Sequence, residues 1–205
     1  WEGKNNTILI NDVRYSPAGV LAPIQRSDLA FTMHMLYHLS ETGTCAIVEF
    51  PGVLYRGGAE KKIREYLIKN NFVDTVIQLP ANLFFGVSIA TCIIVIKKNK
   101  KDNNILFVDA SEECEKKGDK NKLEDKNQNR IVNAYQERKE EQYFTKLVSN
   151  DEVLANGANL SVSSYVEKED KREVIDIVAL NEEIEALSKD VASKSLKLNE
   201  IIKEL

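Results

Sequence analysis

The residues of this chain that could do chemistry are few and widely spaced. Arg56 and the pair Gly57-Gly58 stand directly before a segment with helical periodicity. The free N–H groups at a helix N-terminus bind anions such as phosphate. No Lys-Ser or Lys-Thr follows these glycines, so the segment lacks the spacing of a nucleotide P-loop. It predicts a phosphate contact by Arg56, Gly57 and Gly58, and the alternative is a flexible loop that only begins a helix.

Two histidines and a lysine cluster are the other candidates. His34 and His38 are four residues apart with Glu41 beyond, so the three could share one side of a helix as metal ligands. No Cys or further His is near them in sequence and the zinc-protease pattern is absent, so we predict no metal site. The cluster at 97–101 could touch phosphate groups, although charged turns are usually only solvated. Nothing resembles a Ser-His-Asp or Cys-His nucleophile.

Composition predicts a soluble globular protein with one core and an appendage. The chain has 205 residues, 43% hydrophobic and 29% charged, with a net charge of -4 that argues against a strongly basic nucleic-acid binder. Its three cysteines are far apart and indicate neither a disulfide framework nor a zinc site. No apolar stretch suits a signal peptide or a membrane span, so we expect a cytoplasmic protein. Because it opens at Trp1 without an initiator Met, we expect its true N-terminus upstream.

Helices and strands that alternate along the chain must position these residues. The periodicity predicts helices at about 28–41, 59–71 and 129–141, and strands at 45–50, 72–79, 89–96 and 105–108. Strand, helix and strand between 45 and 79 predict a βαβ unit with parallel strands. The basic segment 97–102 predicts an antiparallel hairpin between the last two strands. The fold class is therefore α/β, the second half of a doubly wound sheet.

The rest of the chain predicts a less regular region and a long helix. Residues 111–130 are charge-rich without an apolar period and predict a solvated loop. Residues 145–166 predict a packed, irregular strap with a helix cap at Ser149 or Asn150. We expect three parts, at 1–110, 111–172 and 173–205. In the last part a heptad-like seam is broken only at Lys194, and it comprises Ile177, Leu180, Ile184, Leu187, Val191, Leu198, Ile201 and Leu205.

Several strings in the chain resemble the modification subunits of type I restriction-modification systems, which are DNA adenine-N6 methyltransferases. They are GVLAP at 19–23, DLAF at 28–31 followed by HML at 34–36, PGVLYRGGAE at 51–60, LPANLFFGVSIATCI at 79–93 and DAS at 109–111. The resemblance spans roughly residues 15 to 166. It implies a Rossmann-like methyltransferase sheet and transfer of a methyl group from S-adenosylmethionine to adenine in DNA.

The resemblance also implies that the catalytic residues lie upstream. In that family a glycine-rich loop binds S-adenosylmethionine, and an Asn-Pro-Pro-aromatic tetrapeptide orients the poorly nucleophilic adenine amine. Neither motif occurs in this sequence. We therefore expect no catalytic residue in this chain, a cofactor bound mainly by the missing N-terminal half, and no activity of the chain alone. The alternative is a truncated, non-catalytic assembly module that binds a specificity subunit.

The family likeness points to Phe84 and Phe85 as residues of the substrate-base pocket. In related adenine methyltransferases an aromatic residue near this position packs against the flipped base. Tyr15 and Tyr55 are weaker candidates. The alternative for the two phenylalanines is that one of them fills the core at the end of the preceding strand.

The expected partners also follow from the resemblance. They are DNA, a specificity subunit, a second modification subunit and, in the full complex, a restriction subunit, with no membrane. A narrow seam cannot be buried by its own helix, so we expect the terminal helix to dock on the helices of the specificity subunit or to self-associate. The alternative is that the seam folds back on the α/β domain.

Overall fold

A computed structural model of the chain describes residues 1–3, 6–169 and 176–204, without the side chains of residues 200, 201, 203 and 204. Two compact units are present, Trp1–Lys168 and Glu169–Leu205. The described helices of the larger unit are α1 (Asp28–His38), α2 (Ala59–Lys69), α3 (Asp125–Glu137) and α4 (Asn150–Ala155), with 3-10 helices at Leu9–Asn11, Ser16–Ala18, Pro51–Leu54 and Val162–Ser164. Its strands are β1 (Thr44–Glu49), β2 (Val73–Gln78), β3 (Cys92–Lys97), β4 (Asn104–Asp109), β5 (Glu115–Lys117), β6 (Lys120–Lys122) and β7 (Thr145–Ser149).

Five of these strands form one mixed sheet in the order β1-β3-β2-β4-β7. β3 is antiparallel to both β1 and β2, so β1 and β2 run in the same direction. β2 is parallel to β4, and β4 is antiparallel to β7. The two strands joined by α2 are parallel, as the sequence predicts, with β3 inserted between them.

The predicted hairpin between β3 and β4 is wrong, because β2 lies between these two strands. β2 is buried at its first five positions, which suits a central strand better than an edge. The connection from β3 to β4 crosses the beginning of β2. Two hydrogen bonds hold it there: Lys100 Nζ donates to the carbonyl of Val73 at 2.8 Å, and Asn71 Nδ2 donates to that of Asp102 at 2.8 Å.

The sheet is covered by apolar side chains on both faces. Along β4, Ile105 and Phe107 join a large cluster with α1, α2 and the segment 153–166, whereas Leu106 and Val108 join a smaller cluster with Ile131 of α3. This alternation is that of a strand buried on both faces. The result is a three-layer α/β arrangement.

Residues 111–130 are more ordered than the predicted solvated loop. They contain the antiparallel hairpin β5-β6 and the beginning of α3. A capping box between Glu124 and Asn127 begins the helix, and Arg130 pairs with Glu113 at 2.9 Å. These polar contacts replace the apolar period that was missing from the sequence. In the segment after α3, Ser149 caps α4 by accepting a hydrogen bond from the N–H of Glu152 at 3.2 Å.

The smaller unit contains the long helix α5 (Ile177–Glu204). The predicted seam residues Ile177, Leu180, Ile184, Leu187, Val191 and Leu198 are all exposed on it, by 45% to 68%. The side chain of Ile201 and the whole of Leu205 lie outside the described residues. In the described part of the chain, no helix combines the length and the apolar character needed to cross a membrane.

Candidate functional site

A cavity of about 290 Å³ opens at the carboxyl end of β1. Its lining comprises Asp28, Val48, Glu49, Phe50, Phe84, Val87 and Thr91. Asp28 begins α1, residues 48–50 end β1, and the others come from the loop between β2 and β3. Ligands of open α/β sheets bind at this kind of edge, outside the carboxyl ends of the parallel strands.

The loop between β2 and β3 is fixed by hydrogen bonds at its ends and along its length. At its base the N–H of Leu79 donates to the carbonyl of Thr91 at 2.9 Å. The β5-β6 hairpin supports its middle, since Asn121 Nδ2 donates to the carbonyl of Ala81 at 2.8 Å and Lys120 Nζ to that of Phe84 at 3.3 Å. The loop therefore presents its tip on a fixed base.

Phe84 and Phe85 both project from this tip into accessible space. Phe84 is 41% exposed and lines the cavity, whereas Phe85 is 100% exposed. Leu83, not either phenylalanine, packs against the smaller core cluster. The alternative prediction, that one of the two phenylalanines fills the core, is therefore wrong for Phe85. Phe84 is half-buried and does not join either core cluster.

Glu49 is a buried carboxyl in the wall of this cavity, with 6% of its surface exposed. Its Oε1 accepts a hydrogen bond from the hydroxyl of Thr32 at 3.2 Å. Burial, and then the nearby charge of Asp28, raise the pKa of Glu49 from 4.5 to about 7. A substantial fraction of this carboxyl is therefore protonated near neutral pH.

Thr91 supplies a second buried polar group to the same wall. It is 5% exposed, and its hydroxyl oxygen is buried without a hydrogen-bond partner among the described residues. The sequence did not single out Glu49 or Thr91, because each lies inside an apolar run that predicts only a strand. A charged residue within such a run was the one available signal for Glu49.

Arg56, Gly57 and Gly58 lie at the N-terminus of α2 and do not line the Phe84 cavity. The guanidinium of Arg56 lies 3.6 Å from the buried carboxylate of Glu60 and packs over the backbone of Gly52. A Cβ added at Gly57 or Gly58 would meet no heavy atom within 4 Å. Arg56 is therefore already paired with Glu60, whereas the backbone of the two glycines is accessible from solvent.

The remaining candidates lie elsewhere. Tyr15 lines a second, apolar cavity of about 240 Å³ with Trp1, Arg14, Ala30, Phe31 and His34, and Tyr55 is 58% exposed. The rings of His34 and His38 are 4.5 Å apart, and the described residues contain no group of three or more His, Cys, Asp or Glu that could hold a metal.

Three of the lysines at 97–101 are used within the chain. Lys97 pairs with Asp74 at 3.1 Å, and Lys98 pairs with Glu41 at 3.5 Å. Lys100 donates to the carbonyl of Val73. Lys97 and Lys100 thereby tie this segment to the beginning of β2, and Lys98 is paired with an exposed carboxylate before β1.

The sequence of the chain is similar to that of known DNA methylases. Residues 1–174 match the model of the N-6 DNA methylase family. The methylase subunit of the type I restriction enzyme MpnII of Mycoplasma pneumoniae is 44% identical over all of this chain and 38% of its own length. That of MjaVII of Methanocaldococcus jannaschii is 33% identical over 83% of this chain and 30% of its own length.

A solved structure shows the same fold. The methyltransferase subunit of the type I restriction-modification system of Streptococcus thermophilus matches with a TM-score of 0.78 and 40% identity, over 82% of this chain and 36% of that one. The chain thus spans between 30% and 38% of the length of these relatives. It belongs to the N-6 DNA methylase family.

Proposed function

We propose that this chain is the C-terminal part of a DNA adenine-N6 methyltransferase, the modification subunit of a type I restriction-modification system, and that its Phe84 cavity holds the target adenine. The main observation that supports this proposal is the half-exposed Phe84 in the wall of a cavity at the carboxyl end of the parallel strands. The sequence likeness to named type I methylase subunits supports the same activity.

The chemistry of the cavity suits a base taken out of the DNA duplex. Enzymes that modify a base extrude it into a pocket and hold it by stacking on aromatic or apolar side chains. Phe50 and Phe84, 45% and 41% exposed, place rings in the wall without sealing the cavity. Phe85, wholly exposed beside them, is positioned to contact the base or its neighbours on the DNA.

We infer that the described residues are not the main site for S-adenosylmethionine. The family's cofactor loop is a glycine-rich turn after a strand, but β1 is followed by Phe50-Pro51-Gly52, β2 by Leu79-Pro80 and β4 by Ala110-Ser111. The residues present therefore do not fit the cofactor. We infer that the chain by itself neither binds S-adenosylmethionine tightly nor methylates DNA, and that the cofactor is held by residues outside this chain.

Exchange of the two loop phenylalanines tests the base pocket. In the complete subunit, we expect Phe84→Ala and Phe85→Ala to lower methylation by about 100-fold, because stacking on a flipped base contributes roughly 1–3 kcal/mol per ring and misplacement of the base adds to that loss. The measurement is methyl transfer per folded molecule, with the midpoint of urea unfolding as a second readout.

Tyr37→Ala is a matched control for these variants. Tyr37 is 49% exposed and lies on α1, outside the cavity. It should leave methyl transfer near the wild-type value. Normal turnover per folded molecule in both phenylalanine variants would contradict the base-pocket proposal.

DNA and the other subunits of the complex are the partners that we propose. Arg56, Gly57 and Gly58 are the proposed phosphate contact, since the glycines are open and a helix N-terminus attracts anions. The exposed apolar stripe on α5 is the proposed contact with the specificity subunit, in an assembly that also holds a second modification subunit and a restriction subunit.

The exposed stripe also favours a second candidate, a non-catalytic module that only occupies the specificity subunit. Removal of residues 174–205, with the mass of the complex then measured in solution, tests docking by α5. We expect the shortened subunit to lose association with the specificity subunit, or its self-association when that partner is absent. Unchanged assembly in both cases would exclude docking by α5. Methylation by the intact subunit then separates the enzyme from the module.

A further inference from the structure

The Phe84 cavity contains polar groups that its stacking role does not require. Most of its wall is apolar, formed by Val48, Phe50, Phe84 and Val87. A cavity of about 290 Å³ lies just below the range for small-molecule pockets, roughly 300–1,000 Å³, in which a few placed polar groups fix the orientation of the ligand. Glu49 and Thr91 are the buried polar residues of this wall.

Glu49 is suited to donate a hydrogen bond from this wall. Burial is the main cause that disfavours its ionisation, and the neighbouring charge of Asp28 adds to it. Its contact with Thr32 occupies Oε1. A protonated carboxyl carries one O–H donor, which an ionised one lacks. Glu49 can therefore present a donor to a neutral ligand, where a carboxylate could only accept.

Thr91 presents an unmet hydrogen-bonding requirement at the same place. A buried hydroxyl without a partner costs about 1–3 kcal/mol, which a ligand atom could offset. Rotation about χ1 exchanges the hydroxyl and the methyl group of a threonine between staggered positions. The backbone carbonyl of Thr91 is already bonded to the N–H of Leu79, so the main chain at this point is fixed and the hydroxyl is the group left to bond a ligand.

We propose that Glu49 and Thr91 determine specificity in this cavity by donating hydrogen bonds to ring nitrogens of a planar base that stacks on Phe84. The ligand class is a neutral purine, whose ring supplies both a face for stacking and acceptor nitrogens along its edge. This inference rests on the proposed base-binding function. It adds two polar residues that distinguish the base by hydrogen bonds to the nitrogen atoms along its edge.

Binding of a free nucleoside to the chain tests this directly. The probe is 2′-deoxyadenosine, and the readout is the methyl NMR shift of Val48, Val87 and Thr91 during titration. We expect saturable shifts for these methyl groups. Thr91→Val and Glu49→Leu should weaken binding by about tenfold each, the usual value of one hydrogen bond made in a buried site.

Conservative variants separate hydrogen bonding from packing. Glu49→Gln keeps an N–H donor and Thr91→Ser keeps the hydroxyl, so both should stay within about threefold of the wild-type affinity. Equal affinity in wild type, Glu49→Leu and Thr91→Val would overturn the proposal, and so would the absence of saturable shifts. The methyl spectra also report whether each variant is folded.

Methylation by the complete subunit keeps the two proposals apart. If the wild type methylates DNA but Glu49→Leu and Thr91→Val show unchanged KM for DNA and unchanged nucleoside affinity, the specificity role fails and the enzymatic function stands. If the wild type binds 2′-deoxyadenosine as expected but does not methylate DNA, the enzymatic function fails and the roles of Glu49 and Thr91 in base binding stand.

Discussion

Two buried carboxyl groups lie at opposite ends of the parallel strands β1 and β2, and their surroundings differ in charge. Asp74 lies at the beginning of β2 and is 2% exposed, and Glu49 lies at the end of β1 and is 6% exposed. Asp74 pairs with Lys97 at 3.1 Å and with Arg138 at 3.2 Å, and it accepts a hydrogen bond from the hydroxyl of Thr75 at 2.9 Å. The carboxyl of Glu49 accepts a hydrogen bond from Thr32 and has the like charge of Asp28 nearby.

This difference distinguishes the region around Asp74, which stabilises the fold, from the cavity around Glu49, which is accessible to a ligand. Asp74 forms ion pairs with residues from β3 and from the end of α3. These pairs stabilise the beginning of β2, where the connection between β3 and β4 crosses it. Around the cavity near Glu49, the part of the chain that the structure describes leaves a carboxyl with no paired cation, a hydroxyl with no hydrogen-bond partner and an accessible phenylalanine. Polar groups that a fold leaves unsatisfied are places where a ligand can act.

Removal of the paired carboxyl should have the largest effect on stability. We expect Asp74→Ala to lower the free energy of unfolding by about 3 kcal/mol, since Lys97 and Arg138, whose side chains are 27% and 22% exposed, both lose their pairing with a buried carboxyl. Equilibrium unfolding in urea measures this. Asp102→Ala is the matched control, because Asp102 contacts the same Arg138 at 3.5 Å but its side chain is 46% exposed, and it should cost less than about 1 kcal/mol.

Equal losses in the two variants would remove the contrast between a buried and an exposed partner of Arg138. They would also show that the edge at Asp74 is held by the rest of the polar network. A loss confined to Asp74→Ala supports the structural role of this carboxyl.

The local sequence pattern predicted where strands and helices occur better than it predicted which strands pair in the sheet. The strand predicted at 45–50 is found at Thr44–Glu49, because a short apolar run between Gly43 and Pro51 suits little else. The order of the strands depends on pairings between distant residues, so the alternation of β3, turn and β4 wrongly suggested a hairpin. The hairpin β5-β6 was missed because hydrogen bonds and ion pairs, not apolar side chains, support it.

The candidate site was predicted only in part. The resemblance pointed to Phe84 and Phe85 as base-pocket residues, a role that remains a proposal, and the structure brings Phe84 to the same cavity as Glu49 and Thr91. No periodicity could bring residues 49, 84 and 91 together, since their contact depends on β3 returning beside β1. Asp74 was equally hidden, because its partner Arg138 lies 64 residues away.

Neutralisation of Glu49 should change stability in a pH-dependent way. The pKa of Glu49 is about 7 in the folded protein and 4.5 as its ordinary value. The folded protein therefore keeps a proton that the unfolded chain has lost, and the wild type loses stability as pH rises from about 4.5 to about 7. Glu49→Gln lacks this loss. Below pH 4.5 the two proteins should be nearly equally stable, and above pH 7 the variant should be more stable by about 2–3 kcal/mol.

Urea unfolding of the wild type and Glu49→Gln between pH 4 and pH 8 measures that difference, in which the other titrating groups cancel. A difference that does not vary with pH would show that Glu49 is ionised throughout. The contrast with Asp74 would then lie in their partners alone and not in their protonation.

Thr91→Val should have the smallest effect, and it should increase stability. The buried hydroxyl of Thr91 has no partner among the described residues, so a methyl group in its place removes a desolvation cost of about 1 kcal/mol. Thr32→Val is the opposite case. The hydroxyl of Thr32 donates to Glu49 at 3.2 Å and lies 3.3 Å from the carbonyl of Asp28, so its loss should destabilise by about 1 kcal/mol. Urea midpoints at one pH compare the two, and a loss of stability in Thr91→Val would show that this hydroxyl is satisfied in solution. A gain in stability together with weaker binding of 2′-deoxyadenosine is the combination expected of a residue kept for a ligand, since activity and stability oppose each other at such sites.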